Sequence, residues 1–338
     1  MDALHAAKSR NVVPESRCAG VLTSDEASMN SVVAIVLFAY ARPDHLQQTL
    51  DRLRANQVSL IYAFSDGPRT PDKEPAVAAV RQILRAIDWC EVVLSEREEN
   101  LGLGKSILTG VTSVLSKHDA IIVFEDDLIC VPGTYQYLCA ALDAYRDNSS
   151  VMSVTGWTHP CVIPTNVIDQ PYFDGRAECL VWGTWARVWK DMDKDAKTLM
   201  QMCEMQGIDV YRYGVDLPAM AEIELQQNIW AVRFLYLHIL RRGLCLRPPH
   251  SMVEHIGFDA QATNASDGSK WSNPPLKACP ALPEKWPDPI ENPECAQLWQ
   301  IACAPTPVNP DPIGWLKYPV RIVRKALSTV KSRVRALK

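Results

Sequence analysis

Continuous apolar runs alternate with segments of helical periodicity through the first half of the chain. Four runs predict strands, and they cover residues 32–40, 59–65, 91–94 and 120–124. The first of them has the unbroken apolar character of a strand buried on both faces of a parallel sheet, and the last also predicts a buried strand. Between them, apolar residues recur at helical spacing in the segments 43–56, 74–88 and 105–115. This βαβαβαβ order predicts an α/β fold whose mostly parallel central sheet is flanked by helices.

The pattern becomes less regular in the second half of the chain. Residues 151–155 predict one more strand, and residues 223–241 predict a single long helix that ends at Gly243. Eleven of the 24 prolines fall within residues 273–312, which indicates an extended segment there.

These patterns divide the chain into four predicted units. They are a disordered leader (1–30), a folded domain (31–265), a proline-rich extended segment (266–313) and a basic amphipathic helix (314–338). In the last unit, six apolar residues recur every three or four positions, and eight basic residues without any acid fill residues 315–338. Helices of this kind lie on anionic membrane surfaces, so we predict such a partner for this segment. A helix docked on the rest of the protein and a short coiled coil are the alternatives.

The charge distribution argues against nucleic acid as a partner. The chain has a formal net charge of −4, and setting aside the eight positive charges of residues 315–338 leaves −12 for the remainder. Binding to phosphates requires a basic surface, so we expect no nucleic-acid binding.

The cysteines and the N-terminal region indicate the compartment. The eleven cysteines include no CxxC pair, so we expect neither a disulfide framework nor a cysteine-rich zinc site. The leader has no apolar stretch of signal-peptide length. The longest apolar run, residues 32–41, is about half the length that crosses a bilayer. These features predict a cytoplasmic protein that is peripheral on the inner face of the cytoplasmic membrane.

Polar residues follow each of the four predicted strands of the first half. They stand at Tyr40-Ala41-Arg42, Ser65-Asp66-Gly67, Asn100 to Lys105 and Glu125-Asp126-Asp127. The carboxyl ends of parallel strands share one edge of a sheet, and ligands bind there. The sequence therefore predicts a ligand site built from these four loops, in which Lys105 stands at a helix start that suits phosphate.

Three acids in direct succession after an apolar strand indicate a cation site. Glu125, Asp126 and Asp127 cannot all be buried unpaired, because removing each charge from water costs several kcal/mol. A hard divalent cation such as Mn²⁺ or Mg²⁺ prefers oxygen ligands and would neutralise charge on a departing nucleoside diphosphate. The alternative is a helix N-cap and first turn, where acids are also favoured.

Residues 121–128, followed by Pro132, resemble the metal-binding strand end of GT-A-fold glycosyltransferases. The likeness is greatest to the N-acetylglucosaminyltransferase I type and to bacterial family 2-like sugar transferases. Further matches lie at residues 36–42 with Leu50, 100–102, 182–186, 230–234 and 256–259. The resemblance spans about residues 32–265 and implies a GT-A fold, with a nucleotide-binding half (31–130) and an acceptor half (131–265).

The resemblance also implies roles for single residues. Arg42 would contact the diphosphate and Asp66 the base, while Tyr40, Asn100 and Gly102 would line the nucleotide site. Glu125 and Asp126 would contact the ribose or the donor sugar. Asp127 would ligate the metal. Apart from the resemblance, Asp126 and His255 are further candidate ligands, from the acid run and from the histidines late in the chain. As alternatives, Arg42 forms an ion pair, Asp66 is a turn residue and His255 is structural.

The acceptor side is less clearly marked. Trp182, Trp185 and Trp189 recur at helical spacing, which is more typical of a core than of a site. Indole rings also stack on sugars, and the resemblance implies an acceptor wall at Trp182, Gly183 and Trp185.

The resembled enzymes keep an aspartate just before a tryptophan on a late helix as the catalytic base. Here Gln226 to Trp230 contains no acid, so Glu222 and Glu224 are the candidate bases. The remaining alternatives are Asp193, Asp216 and Asp259, and the choice between inverting and retaining chemistry stays open.

These features together predict a glycosyltransferase. It would move a sugar from a nucleoside-diphosphate donor, UDP-linked by preference, to a hydroxyl of a glycan or lipid-linked acceptor in bacterial polysaccharide or glycolipid synthesis. A sugar nucleotidyltransferase is the alternative, although that class carries a glycine-rich loop after the first strand and residues 39–43 contain no glycine. A non-catalytic membrane-associated scaffold with the same fold is the third hypothesis.

Overall fold

The computed structural model describes residues 32–257 and 276–304. The predicted leader, the basic helix 314–338 with its predicted membrane contact, and Asp259 lie outside the described residues. Within the two described ranges, no helix is long and apolar enough to cross a membrane.

One large sheet organises the described residues. Its strands are β1 (Ala34–Ala39), β2 (Leu60–Ser65), β3 (Glu91–Glu96), β4 (Ala120–Glu125), β6 (Val151–Thr155), β7 (Tyr172–Asp174), β8 (Trp182–Trp185) and β9 (Leu244–Arg247). They lie in the order β3-β2-β1-β4-β8-β6-β9-β7, and only β7 and β8 run opposite to the rest. A small antiparallel pair, β5 (Leu128–Cys130) with β10 (Val253–His255), lies beyond the end of β4.

Helices flank this sheet. They are α1 (Pro43–Ala55), α2 (Glu74–Arg85), α3 (Leu103–Leu115), α4 (Thr134–Ala144), α5 (Ala186–Trp189), α6 (Ala196–Met205), α7 (Leu217–Gln227), α8 (Ala231–Arg241) and α9 (Cys295–Ala302). Every residue of β1 is at most 4% exposed, so the centre of the sheet is covered on both faces, as its unbroken apolar run predicts. The predicted α/β class, with a mostly parallel central sheet flanked by helices, is confirmed.

Two predictions for the second half were wrong. Trp182 and Trp185 lie on β8 rather than on a helix, and Trp189 ends the short helix α5. The predicted long helix is two helices, because Asn228 adopts a left-handed conformation with φ of 58° between α7 and α8. Asparagine tolerates this conformation better than other residues that bear a Cβ atom.

The proline-rich segment contains a helix that belongs to the folded core. Trp299 of α9 is 1% exposed, and its indole N–H donates a hydrogen bond of 2.7 Å to Asp174 Oδ2. The guanidinium groups of Arg176 and Arg247 lie 4.3 and 5.4 Å from the centre of the indole. The segment from Cys295 to Ala302 is therefore anchored to the sheet through β7 and β9.

Candidate functional site

The four predicted loops meet at one edge of the sheet around a cleft of about 1020 Å³. Of the residues singled out from the sequence, the cleft is lined by Tyr40, Arg42, Asp66, Asn100, Gly102, Glu125, Asp127 and His255. Lys105 is exposed at the first turn of α3 and is not among the lining residues. The volume is at the upper end of the range of small-molecule sites, about 300–1,000 Å³, so a ligand as large as a nucleotide sugar fits.

The loop after β1 is held in an unusual conformation. Ala41 has φ of 52°, in the left-handed region that costs a residue with a Cβ atom about 1–2 kcal/mol. The neighbouring Tyr40 N–H donates a 2.7 Å hydrogen bond to Asp126 Oδ2, and the Tyr40 hydroxyl accepts one of 2.9 Å from the Arg69 N–H. A strained backbone conformation persists when the surrounding structure fixes it. Here the conformation of Ala41 places the next residue, Arg42, against the acids that follow β4.

The acids after β4 form the centre of the site. Asp126 is 8% exposed and turns its carboxylate towards the Tyr40 N–H, away from the cleft lining. Asp127 is equally buried, and its Oδ2 accepts a 2.7 Å hydrogen bond from Arg42 Nη1. The other oxygen of Asp127, Oδ1, is buried and finds no hydrogen-bond partner among the described residues. Such an atom is costly to leave unsatisfied and indicates a missing partner.

The electrostatics of the acids agree with a site that receives a cation. Burial, followed by the charges of Asp127 and Asp126, raises the pKa of Glu125 to about 8. Burial and the charge of Asp127 raise the pKa of Asp126 to about 8, against the opposing effects of the Tyr40 N–H and Arg42. Among the described residues, Arg42 is the cation whose charge opposes both shifts, and an additional positive charge would relieve the repulsion between the three carboxylates.

The carboxylates of this site suit a divalent cation that takes its remaining ligands from a bound phosphate and from water. Within the described parts of the chain, no group of three or more His, Cys, Asp or Glu side chains has the geometry of a metal site. Mg²⁺ commonly binds through one or two carboxylates together with substrate phosphates and water. Asp127, which lines the cleft and whose Oδ1 lacks a hydrogen-bond partner among the described residues, matches that description.

His255 approaches the same carboxylate from β10. Its Nε2 lies 3.5 Å from Asp127 Oδ2, and its Nδ1 accepts a 3.2 Å hydrogen bond from the Gly257 N–H. Since Nδ1 accepts, Nε2 carries the proton of the neutral ring and faces Asp127 as a donor. Burial lowers the pKa of His255, which favours this neutral form. His255 therefore lies directly beside Asp127, and its role as a metal ligand stays a prediction.

Asp66 holds the loop that follows β3. Its Oδ1 accepts hydrogen bonds of 2.7 Å from Arg97 Nη1 and 3.2 Å from Ser106 Oγ, and its Oδ2 accepts one of 3.0 Å from the Leu101 N–H. Asn100 closes the same loop, because its Nδ2 donates to the Gly67 carbonyl at 2.9 Å. The resemblance implied a contact from Asp66 to the base, whereas the structure commits both carboxylate oxygens to the protein.

The candidate bases lie outside the cleft lining, and that prediction is corrected. Glu222 is exposed and forms an ion pair of 2.8 Å with Lys197. Glu224 is 2% exposed, and its Oε1 accepts a 2.7 Å hydrogen bond from Arg233 on α8. Its Oε2 accepts another of 3.2 Å from the N–H of Ala196 on α6. Glu224 therefore joins three helices, and neither acid reaches the site.

The end of α7 contributes amides that sequence reasoning did not identify. Gln226, Gln227 and Asn228 line the same cleft as Glu125 and Asp127. Asn228 packs so closely on the start of α3 that a Cβ atom at Gly104 would lie 2.3 Å from its Oδ1. The absence of an acid before Trp230 was visible in the sequence, but nothing in the sequence showed that the amides themselves face the site.

The predicted acceptor wall is also corrected. Trp182 and Trp185 are 1% and 2% exposed, and Gly183 pairs with both β4 and β6 inside the sheet. The Trp182 ring packs against Trp230 and Phe234, with ring centres 5.2 and 4.9 Å away. A sugar has no access to these rings, so they belong to the core.

Comparisons with known proteins give structural neighbours only. No family model matches the sequence, and no curated protein sequence matches it significantly. One similar solved structure is a mannosyltransferase from Pyrobaculum calidifontis in complex with GDP-Man and Mn²⁺, with 14% identity over 52% of each chain and a TM-score of 0.35. The match thus spans about half of the mannosyltransferase. Another is a proposed glucose-1-phosphate thymidylyltransferase from Bacillus anthracis in complex with a sucrose, with 6% identity over 48% of this chain and 75% of that chain and a TM-score of 0.30.

Proposed function

We propose that this protein is a metal-dependent glycosyltransferase that transfers a sugar from a nucleoside-diphosphate donor to a hydroxyl group. The observation that carries the proposal is Asp127, whose Oδ1 is buried without a hydrogen-bond partner among the described residues, at the carboxyl end of a parallel strand. It faces a cleft of 1020 Å³ that four loops from neighbouring strands surround. The resemblance of residues 32–265 to GT-A-fold enzymes points to the same chemistry.

The donor would lie along the loops after β1, β2 and β3. The loop from Asn100 to Leu103, shaped by Asp66, would receive the nucleoside, and Arg42 would contact the diphosphate. UDP is the nucleotide that the resemblance favours.

Asp127 would hold Mn²⁺ or Mg²⁺, next to Asp126, whose Oδ2 accepts the hydrogen bond from the Tyr40 N–H. The bound ion would supply a positive charge to the diphosphate as the leaving group accumulates negative charge. The protein's own part is to keep this carboxylate buried and oriented, which Arg42 and Gly257 achieve by packing against its Oδ2.

The acceptor hydroxyl would enter from the side of Gln226 and Gln227, whose amides suit sugar hydroxyls. Its proton needs a carboxylate within reach, and neither Asp66 nor Asp127 is available for this task. Glu98, Glu99 and Glu125 are the remaining cleft-lining acids of the described residues, and they replace Glu222 and Glu224 as candidate bases.

Our proposals for the acceptor and for the cellular location of the protein rest on the sequence alone. We propose a glycan or lipid-linked acceptor at the cytoplasmic face of a bacterial membrane, which residues 315–338 would approach through their basic charges. Bacterial polysaccharide or glycolipid synthesis is the corresponding process.

Donor hydrolysis in the absence of acceptor tests the proposal. A panel of UDP-, GDP- and dTDP-sugars is incubated with the full chain, with Mn²⁺ or with EDTA, and the release of nucleoside diphosphate is measured. We expect Mn²⁺-dependent release from one nucleotide class, and the same rate from Glu222→Gln, because Glu222 lies outside the cleft lining. Absence of release and of binding for every donor would refute the proposal. Formation of nucleoside triphosphate from a nucleotide sugar and pyrophosphate would indicate a nucleotidyltransferase instead.

A further inference from the structure

Arg42 already supplies the acids after β4 with a positive charge. Its Nη1 lies 2.7 Å from Asp127 Oδ2, and both side chains are 11% exposed. A charge-assisted hydrogen bond at such low exposure is stronger than one at the surface. In the absence of any other cation, Asp127 therefore has a partner in this guanidinium.

The two oxygens of Asp127 are in unequal situations. Oδ2 is enclosed by Arg42, by His255 Nε2 at 3.5 Å and by Gly257, where an added Cβ atom would lie only 2.2 Å from it. The same Cβ atom would lie 2.7 Å from Arg42 Nη1, so Gly257 also leaves room for the guanidinium. Oδ1 is the atom without a hydrogen-bond partner among the described residues.

A divalent cation at Oδ1 would share one carboxylate with the guanidinium. The two positive groups would lie on the same side chain, so each lowers the affinity of Asp127 for the other. Arg42 also lines the cleft, where a diphosphate could accept its hydrogen bonds instead. A diphosphate that attracts Arg42 away from Asp127 would thereby make the carboxylate fully available to the cation.

We propose that Arg42 is a resident counter-ion of Asp127 that competes with the divalent cation until a diphosphate engages it. This inference rests on the proposed function and adds an order of binding to it. The cation binds weakly to the protein alone and tightly once a nucleoside diphosphate is present. By linkage, the cation strengthens nucleotide binding by the same factor.

Calorimetric titration of Mn²⁺ into the full chain, with and without UDP, tests the competition. We expect Arg42→Gln to bind Mn²⁺ without nucleotide about tenfold more tightly than the unmodified protein, within the usual range of coupling between sites. UDP should then tighten Mn²⁺ binding much less in this variant than in the unmodified protein. Arg42→Met, which keeps the apolar stem of the side chain, should behave in the same way and serves if the glutamine variant does not fold.

Arg69→Gln is the matched control. Arg69 lines the same cleft and carries the same charge, and it donates a hydrogen bond to the Tyr40 hydroxyl through its backbone N–H, which the substitution retains. Arg69 is exposed, and loss of an exposed, screened charge should change Mn²⁺ affinity by about twofold or less.

Two failures can be told apart. If both Arg42 variants bind Mn²⁺ no more tightly than Arg69→Gln, while the unmodified protein binds Mn²⁺ together with a nucleotide, the competition is refuted and the proposed function stands. If the unmodified protein binds neither Mn²⁺ nor any nucleoside diphosphate, alone or together, the proposed function fails and this inference with it.

Discussion

Replacing Asp66 by asparagine distinguishes two roles for this carboxylate. The sequence resemblance implied that Asp66 contacts the base of the nucleotide. In the structure it accepts hydrogen bonds from Arg97, Ser106 and the Leu101 N–H, so it shapes the loop after β3. Asparagine has the same shape but lacks the charge, and it presents an amide nitrogen to donors that need an acceptor.

The expected cost follows from the burial of the ion pair. The Asp66 and Arg97 side chains are 7% and 17% exposed. Removing one partner of a buried pair costs about 3–5 kcal/mol, and the partial exposure of Arg97 reduces this to about 2–3 kcal/mol. For a folded unit of this size, each kcal/mol corresponds to roughly 2–4 °C in melting temperature, so we expect a decrease of about 4–12 °C.

Thermal unfolding of Asp66→Asn, Arg97→Gln and the double variant measures this effect. The loss caused by Asp66→Asn should shrink by at least about 1 kcal/mol when Arg97 is already replaced, because the two side chains are in contact. Asp72→Asn is the control, because the Asp72 side chain is 73% exposed and its Oδ2 lies 3.9 Å from Lys73 Nζ. An exposed pair of this kind contributes little, so the melting temperature of this variant should equal that of the unmodified protein.

Nucleotide affinity measured on the same variants completes the test. We expect Asp66→Asn and Arg97→Gln to weaken it together, because both loosen the same loop. If Asp66→Asn weakened nucleotide binding without lowering the melting temperature, and Arg97→Gln did neither, the carboxylate would act on the base directly and the positioning role would be refuted.

Three further predictions concern the rest of the fold. Trp299→Ala should lower the free energy of unfolding by about 3–5 kcal/mol in urea titration, whereas Ile301→Ala on the same helix should have little effect, since Ile301 is 65% exposed. Burial lowers the pKa of His238 from 6.5 to about 3, so the stability that its neutral form contributes is complete above pH 6.5 and is lost as the pH falls towards 3. His238→Gln should therefore flatten the decline of unfolding free energy over that acidic range. Asn228→Ala should cost about 1 kcal/mol at its φ of 58°, while Asn228→Gly, which adopts this conformation freely, should unfold at nearly the original temperature.

The strands of the first half could be predicted because their signal is local. β1 and β4 are continuous apolar runs buried on both faces, and the acids come directly after β4. The convergence of the four loops then follows from parallel topology alone. Parallel topology also brings the loops that carry Arg42 and Asp127 to the same edge, but the ion pair between these two side chains was not predicted.

The features that the sequence did not reveal depend on contacts between distant segments. The break at Asn228 lies inside an almost continuous helical pattern, so periodicity joined α7 to α8. Glu224 is near Trp230 along the chain, but its direction is decided by Arg233 and by the start of α6. The helix α9 is anchored by the indole of Trp299, which contacts β7 and β9. The proline content, on which the prediction of an extended segment rested, could not reveal this contact.

The central claim is that a cation binds at Asp127, where β4 ends beside the cleft. The most direct measurement is titration of Mn²⁺, in the presence of UDP, into the unmodified protein, Asp127→Asn and Asp119→Asn. Asp119 is exposed at the opposite end of the same strand and provides the control. We predict that Asp127→Asn weakens Mn²⁺ binding by at least about a hundredfold, as expected when a ligating carboxylate is lost, and that Asp119→Asn leaves it unchanged. Equal Mn²⁺ affinity in all three proteins would contradict the account.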